Sequence, residues 1–107
     1  MPPVTRHRVV ALCLDGLVAF DLTAAAQAFQ LAAMPSGKPL YRVSTCSPGG
    51  APVQTTSGFS IAPDGDLRAL RRADTVVVPG YSDLAGARSA VEEARSAGFS
   101  ATPIVAP

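Results

Sequence analysis

The chain has 107 residues, of which 48% are hydrophobic, with nine Lys+Arg against eight Asp+Glu for a formal net charge of +1. That is one domain at most, able to bury roughly two-thirds of its unfolded surface, and too apolar and weakly charged to be a disordered tail. The near-neutral balance argues against a dedicated nucleic-acid binder, which neutralises phosphates with a clustered basic stripe; along the sequence only Arg68, Arg71 and Arg72 cluster.

In chain order, 8–15 carries the unbroken apolar run VVALCL, the pattern of a strand covered on both faces in a parallel sheet. Asp15-Gly16 supplies turn chemistry, and from Phe20 the apolar residues Leu22, Ala25, Ala26, Phe29, Ala32 and Ala33 recur at spacings of three and four. A helix ending near Met34 is expected, with Asp21 and Thr23 placed to cap its free N–H groups and Pro35-Ser36-Gly37 to stop it. A second strand is expected over 41–47, closed by Pro48-Gly49-Gly50, and the stretches 52–56 and 59–63 around Ser57-Gly58 read as a hairpin at the sheet edge. Asp64 or Asp66 can cap a short helix carrying Leu67 and Leu70. A buried strand follows over 74–80, then a loop over 81–86 and a helix over 87–97 with Val91, Ala94 and Ala97 inward and Gly98 as its stop. A last strand begins at Thr102. Strands alternating with helices imply a three-layer αβα open, mainly parallel sheet, in which ligands bind beyond the carboxyl ends of the strands.

Two cysteines make neither a disulfide framework nor a metal set, so a reducing cytoplasm is expected, with no metal and no cofactor. No run reaches the ~18 apolar residues of a membrane span, and no signal-peptide core follows 1–8. There is neither a Walker-type phosphate loop nor a GxGxxG after the first strand. Cys13, mid-strand among Val and Leu, reads as a small hydrophobe, and Cys46, at a strand end, as the better candidate for a reactive thiol. His7, the single histidine, lies in a polar start and reads as solvated; the three clustered arginines read as the wet face of a short helix.

The segments LDGLVAFDLTAAAQAF, YRVSTCSPGGAPVQTTSGFSIAPDGDL and ADTVVVPGY, taken together, resemble the ThiJ/PfpI (DJ-type) superfamily with its class I glutamine amidotransferase-like, flavodoxin-like fold. Within it they are most similar to the sensor half of AraC-type transcriptional regulators. The resemblance runs from about residue 8 to 107 and implies a flexible start over 1–7 and a partial domain over 8–107, incomplete at its C-terminus. In that family a tight turn bearing a nucleophilic cysteine follows the strand matching 103–107, and the regulators then carry two helix-turn-helix motifs. The resemblance therefore implies a truncated sensor that binds a small molecule, with neither catalysis nor direct DNA binding by this chain. The alternatives are a truncated enzyme of the superfamily, isonitrile hydratase-like or amidase-like, and a non-catalytic interaction module.

The resemblance also implies the ligand-pocket candidates. Asp21 matches the acidic position beside the family's nucleophile, although without that cysteine a helix cap is the favoured reading. Gly80 and the Tyr81 amide match a turn that offers N–H groups to an oxyanion, and Asp15 and Gly16 match the loop that rims the same pocket. An unfinished sheet whose apolar faces await helices is expected to self-associate or form a homo-oligomer.

Overall fold

The computed structural model describes residues 7–32, 36–81, 84–98 and 104–105. The apolar run near the start forms β1 (His7–Leu12), and the second expected strand forms β2 (Tyr41–Cys46). They pair in parallel in the register His7↔Tyr41 to Leu12↔Cys46. His7, expected in a polar start, thus opens β1; it is exposed, and its Nε2 lies 2.7 Å from the Thr75 hydroxyl.

Between these strands runs α1 (Ala19–Leu31). It ends before Met34 because Ala32 already turns extended at φ −67°, ψ 127°; residues 33–35, which hold the expected stop at Pro35, lie outside the described set. The cap expected of Asp21 and Thr23 is not observed. Val18 is the residue at the helix start, with no side-chain cap, and the Thr23 hydroxyl donates to the Ala19 carbonyl at 2.9 Å. Asp21 sits within the first turn, where its charge faces the positive end of the helix dipole without replacing a missing backbone partner.

The hairpin consists of β3 (Val53–Gln54) and β4 (Ser60–Ile61), antiparallel and separate from the main sheet. It does not extend the edge strand β2. Instead Thr55 bridges to Leu17, so the hairpin is pinned to the loop leaving β1. A 3-10 helix over Leu67–Arg72 follows, capped by the Asp66 carboxylate, which accepts from the Arg68 N–H at 2.9 Å. Next come β5 (Thr75–Val78), α2 (Leu84–Ser96) and β6 (Ile104–Val105). The helix starts at Leu84, inside the stretch expected as loop over 81–86. Gly86 suggests a turn by composition, yet one glycine in a helix costs only about 1 kcal/mol, which the packing of the rest offsets.

The four-stranded sheet has the order β2-β1-β5-β6, and every adjacent pair is parallel. Alternation along β1 splits the core by face. Val10 and Leu12 join Cys46, Leu70, Val76, Val78, Ala90 and Ala94 under the 3-10 helix and α2, while Val9, Ala11 and Cys13 join Leu17, Leu22, Val53 and Val77 under α1 and the hairpin. The expected three-layer αβα architecture is therefore present. On α2, Ala90 and Ala94 are fully buried, with Val91 and Ala97 packed at the margin and Gly98, at φ 105°, ending the helix.

Leu12 is fully sealed in the layer under the 3-10 helix. Leu12→Ala should lower unfolding free energy by about 2–5 kcal/mol in urea denaturation, through lost transfer energy plus the residual cavity. A loss below about 1 kcal/mol would show that this layer is not close-packed.

Candidate functional site

The carboxyl ends of β1 and β5 meet at one place because Leu17, fully buried, bridges to Thr55 of the hairpin on one side and to Tyr81 on the other. Around it the backbone is bonded in detail. Gly16 donates to the Gln54 carbonyl at 2.9 Å, Thr56 to the Leu17 carbonyl at 3.0 Å and Val18 to the Gly80 carbonyl at 2.8 Å. Asp15 Oδ1 accepts from the Gln54 N–H at 2.9 Å. Gly16 has φ 89°, a conformation that side-chain-bearing residues rarely adopt, so glycine here is required by the turn itself.

Tyr81 points its ring inward and contacts both core layers. Its hydroxyl accepts from the Leu14 N–H at 3.1 Å and donates to the Leu12 carbonyl at 3.2 Å, replacing the ladder partners that β1 loses where it leaves the sheet. Burial pushes the Tyr81 phenol above its ordinary range, against the Leu14 hydrogen bond, which lowers it. The Tyr81 backbone N–H, by contrast, makes no hydrogen bond among the described residues.

The structure thus brings Asp15, Gly16, Gly80 and Tyr81 together, with Asp21 one turn into the helix that begins beside Gly80. It also adds Leu17, Gln54 and Thr55, which the sequence reading missed. Their local signal is only that of a hairpin turn, and nothing in their spacing announces that the hairpin folds back onto the exit of β1.

The cysteine expectation for Cys46 is overturned. Cys46 is fully buried, and its thiol is pushed up to about 12, first by burial and then by the neighbouring Cys13 and Asp66. Cys13 behaves as the expected small hydrophobe: it is fully buried, its Sγ lies 3.8 Å from the Ala11 carbonyl, and burial, with Asp64 second, pushes it up to about 11. Neither is a poised nucleophile, because only the thiolate attacks. Arg68, Arg71 and Arg72 are exposed as expected, and Arg68 pairs with Asp66 at 3.0 Å. Among the described residues no group of three or more His, Cys, Asp or Glu is placed to hold a metal, and no helix is long and apolar enough to cross a membrane.

An open parallel sheet with helices on both faces and its loops gathered beyond the carboxyl ends of β1 and β5 defines a doubly wound α/β protein. More particularly, the chain has the ThiJ/PfpI fold: it superposes on a ThiJ/PfpI family protein from Pseudomonas syringae with a TM-score of 0.65 at 18% identity, over 91% of this chain and 42% of that one. An AraC family transcriptional regulator from Pseudomonas putida aligns with a TM-score of 0.56 at 16% identity, over 87% of this chain and 52% of that one. In sequence, the chain is 39% identical over 80 residues to an uncharacterized protein in the cpoL 5' region of Streptomyces lividans, covering 75% of this chain and 55% of the relative. The chain thus spans about half the length of the proteins it matches. No family model matches it.

Raised thiol values make stability pH-dependent with a definite sign. The folded state holds the protons of Cys13 and Cys46 up to about 11 and 12, whereas free thiols release them near 9.0. The stabilisation is complete below the unfolded value and is lost as pH rises from there through the folded values. Iodoacetamide at about pH 8 should accordingly label the native protein at least ~100-fold more slowly than the urea-unfolded chain. Equal rates would refute the sealed-thiol arrangement.

Proposed function

We propose that this chain is the amino-terminal part of a small-molecule-sensing domain of an AraC-type regulator, non-catalytic and without a DNA-binding motif of its own. The observation that carries the reading is the Tyr81 N–H, without a partner among the described residues, at a rim where Gly16, Val18, Gln54 and Thr56 are held by hydrogen bonds to one another's segments. A hydrogen-bonded rim that leaves backbone N–H groups such as that of Tyr81 unpaired among the described residues suits binding of a ligand oxygen, since the donors are held in place before the ligand arrives. Two sealed thiols nearby weigh against covalent chemistry by the residues described, and the likeness in fold to an AraC family regulator supports the regulatory context. Asp15 and Gly16 shape the rim, Gly80 and Tyr81 present the donor, and Asp21 adds negative charge at the start of α1.

A panel of small carboxylates and carbonyl compounds, followed by melting temperature and by the amide resonance of Tyr81, tests this. Binding should raise the melting temperature and shift that resonance with no turnover. Hydrolysis of an amide or hydration of an isonitrile that disappears in Asp21→Ala would place the chain among the enzymes instead. Sequencing the transcript beyond codon 107 adds an independent check, a helix-turn-helix coding region being the expected finding.

We also propose self-association through α1. Phe20 and Leu31 are 78% and 80% exposed, and eleven residues of helix separation puts them on one face three turns apart. Size-exclusion chromatography should give an assembly larger than the 10.9 kDa chain that shifts toward monomer in Phe20→Ser; a wild-type monomer would count against it.

A further inference from the structure

At the opposite end of the sheet from this rim, the residues of β1 and β2 that face the 3-10 helix change from apolar to basic. The parallel register sets Val10 beside Ser44 and Arg8 beside Arg42, one and two same-face pairs before Leu12 beside Cys46. The last turn of the 3-10 helix brings Arg72 to the same place. Arg8, Arg42, Arg72 and Ser44 line one groove of about 310 Å³ whose apolar lining is Val10 and Ala69.

Like charges brought together by pairing repel one another unless something of opposite sign joins them. Of the acids on the flanking elements, Asp64 and Asp66 are engaged elsewhere, and Asp74 lies at this end with its carboxylate on a backbone N–H rather than on a guanidinium. Asp64 accepts from the backbone and hydroxyl of Thr45 at 2.9 and 3.1 Å, Asp66 pairs with Arg68, and Asp74 accepts from the backbone N–H of Arg8 at 2.8 Å. None of the three groove guanidinium groups has a hydrogen bond or ion pair among the described residues.

We propose that this groove binds a small phosphate-bearing ligand, its phosphate oxygens held by Arg8, Arg42 and Arg72 with the Ser44 hydroxyl and its carbon portion lying against Val10 and Ala69. Guanidinium forks match phosphate oxygens in pairs, and a phosphate dianion offsets the mutual repulsion of the three arginines. The volume falls at the small end of ligand sites, roughly 300–1,000 Å³. A nucleic-acid backbone fits less well, because the arginines converge in one concavity rather than forming a stripe and the net charge is only +1. The site is independent of the rim at Tyr81, so failure of either leaves the other standing.

The test follows the arginine Nε–H resonances of the 107-residue protein during titration with inorganic phosphate and then phenyl phosphate at constant ionic strength. Saturable shifts confined to Arg8, Arg42 and Arg72 are expected, with phenyl phosphate binding more tightly. Arg42→Gln and Arg72→Gln should each weaken binding by about tenfold, melt no lower than the parent without phosphate, and lose the melting-temperature rise that phosphate produces. Arg88→Gln and Arg95→Gln, on the exposed side of α2, should change nothing. Shifts spread without saturation over all arginines, unchanged affinity in the Arg42→Gln/Arg72→Gln double variant, or displacement of phosphate from these arginines by a short DNA duplex would each overturn the assignment.

Discussion

Burial of β1 on both faces is the constraint from which the remaining arrangement follows. A strand sealed from Val9 to Cys13 cannot leave the sheet into water at once, and its next backbone groups need partners inside the protein. Tyr81 meets part of that need with a hydroxyl that serves Leu14 and Leu12 together. Thr55, Gln54 and Gly80 meet a further part through the bridge to Leu17 and bonds from Gly16 and Val18. The hairpin and the turn after β5 are therefore held at the exit of β1 by hydrogen-bond completeness, and the rim they form is a by-product of closing the core.

The same closure decides the chemistry. Cys13 and Cys46 are adjacent across the β1–β2 ladder, where the Cys13 N–H donates to the Cys46 carbonyl at 2.8 Å, yet alternation sends their side chains into different layers. Each layer excludes water, so both thiols stay protonated and act as packing atoms. Polar function is left to the two ends of the sheet. At the carboxyl end a backbone donor stands at the rim, and at the amino end three arginines share a groove at the margin of the apolar layer, against Val10 and Ala69.

Much of the architecture was legible because it depends on local pattern. VVALCL and TVVV announce strands buried on both faces, the three-and-four spacing from Leu22 announces α1, and Asp64 or Asp66 ahead of Leu67 announces a capped short helix, with Asp66 the cap in the structure. The errors came where a local signal has two readings. Asp21 looks like a cap in sequence because carboxylates favour both the cap and the first turn, and only the backbone at Val18 separates them. Cys46 looks exposed at a strand end, but Ser47 continues into a sealed turn with its hydroxyl on the Ala51 carbonyl at 2.6 Å.

Sequence alone determined the three-layer class and the two-sided burial of β1 and β5, since period-two and period-3.6 patterns are set by backbone geometry within each element. Tertiary structure decided which polar groups meet. Arg8, Arg42 and Arg72 are far apart in the chain and read as unrelated; strand register and the fold of the 3-10 helix onto the sheet bring them into one groove. Likewise, nothing local to Leu17, Thr55 or Tyr81 specifies their junction, because contacts between distant segments are chosen by which backbone groups remain unsatisfied once the core has closed.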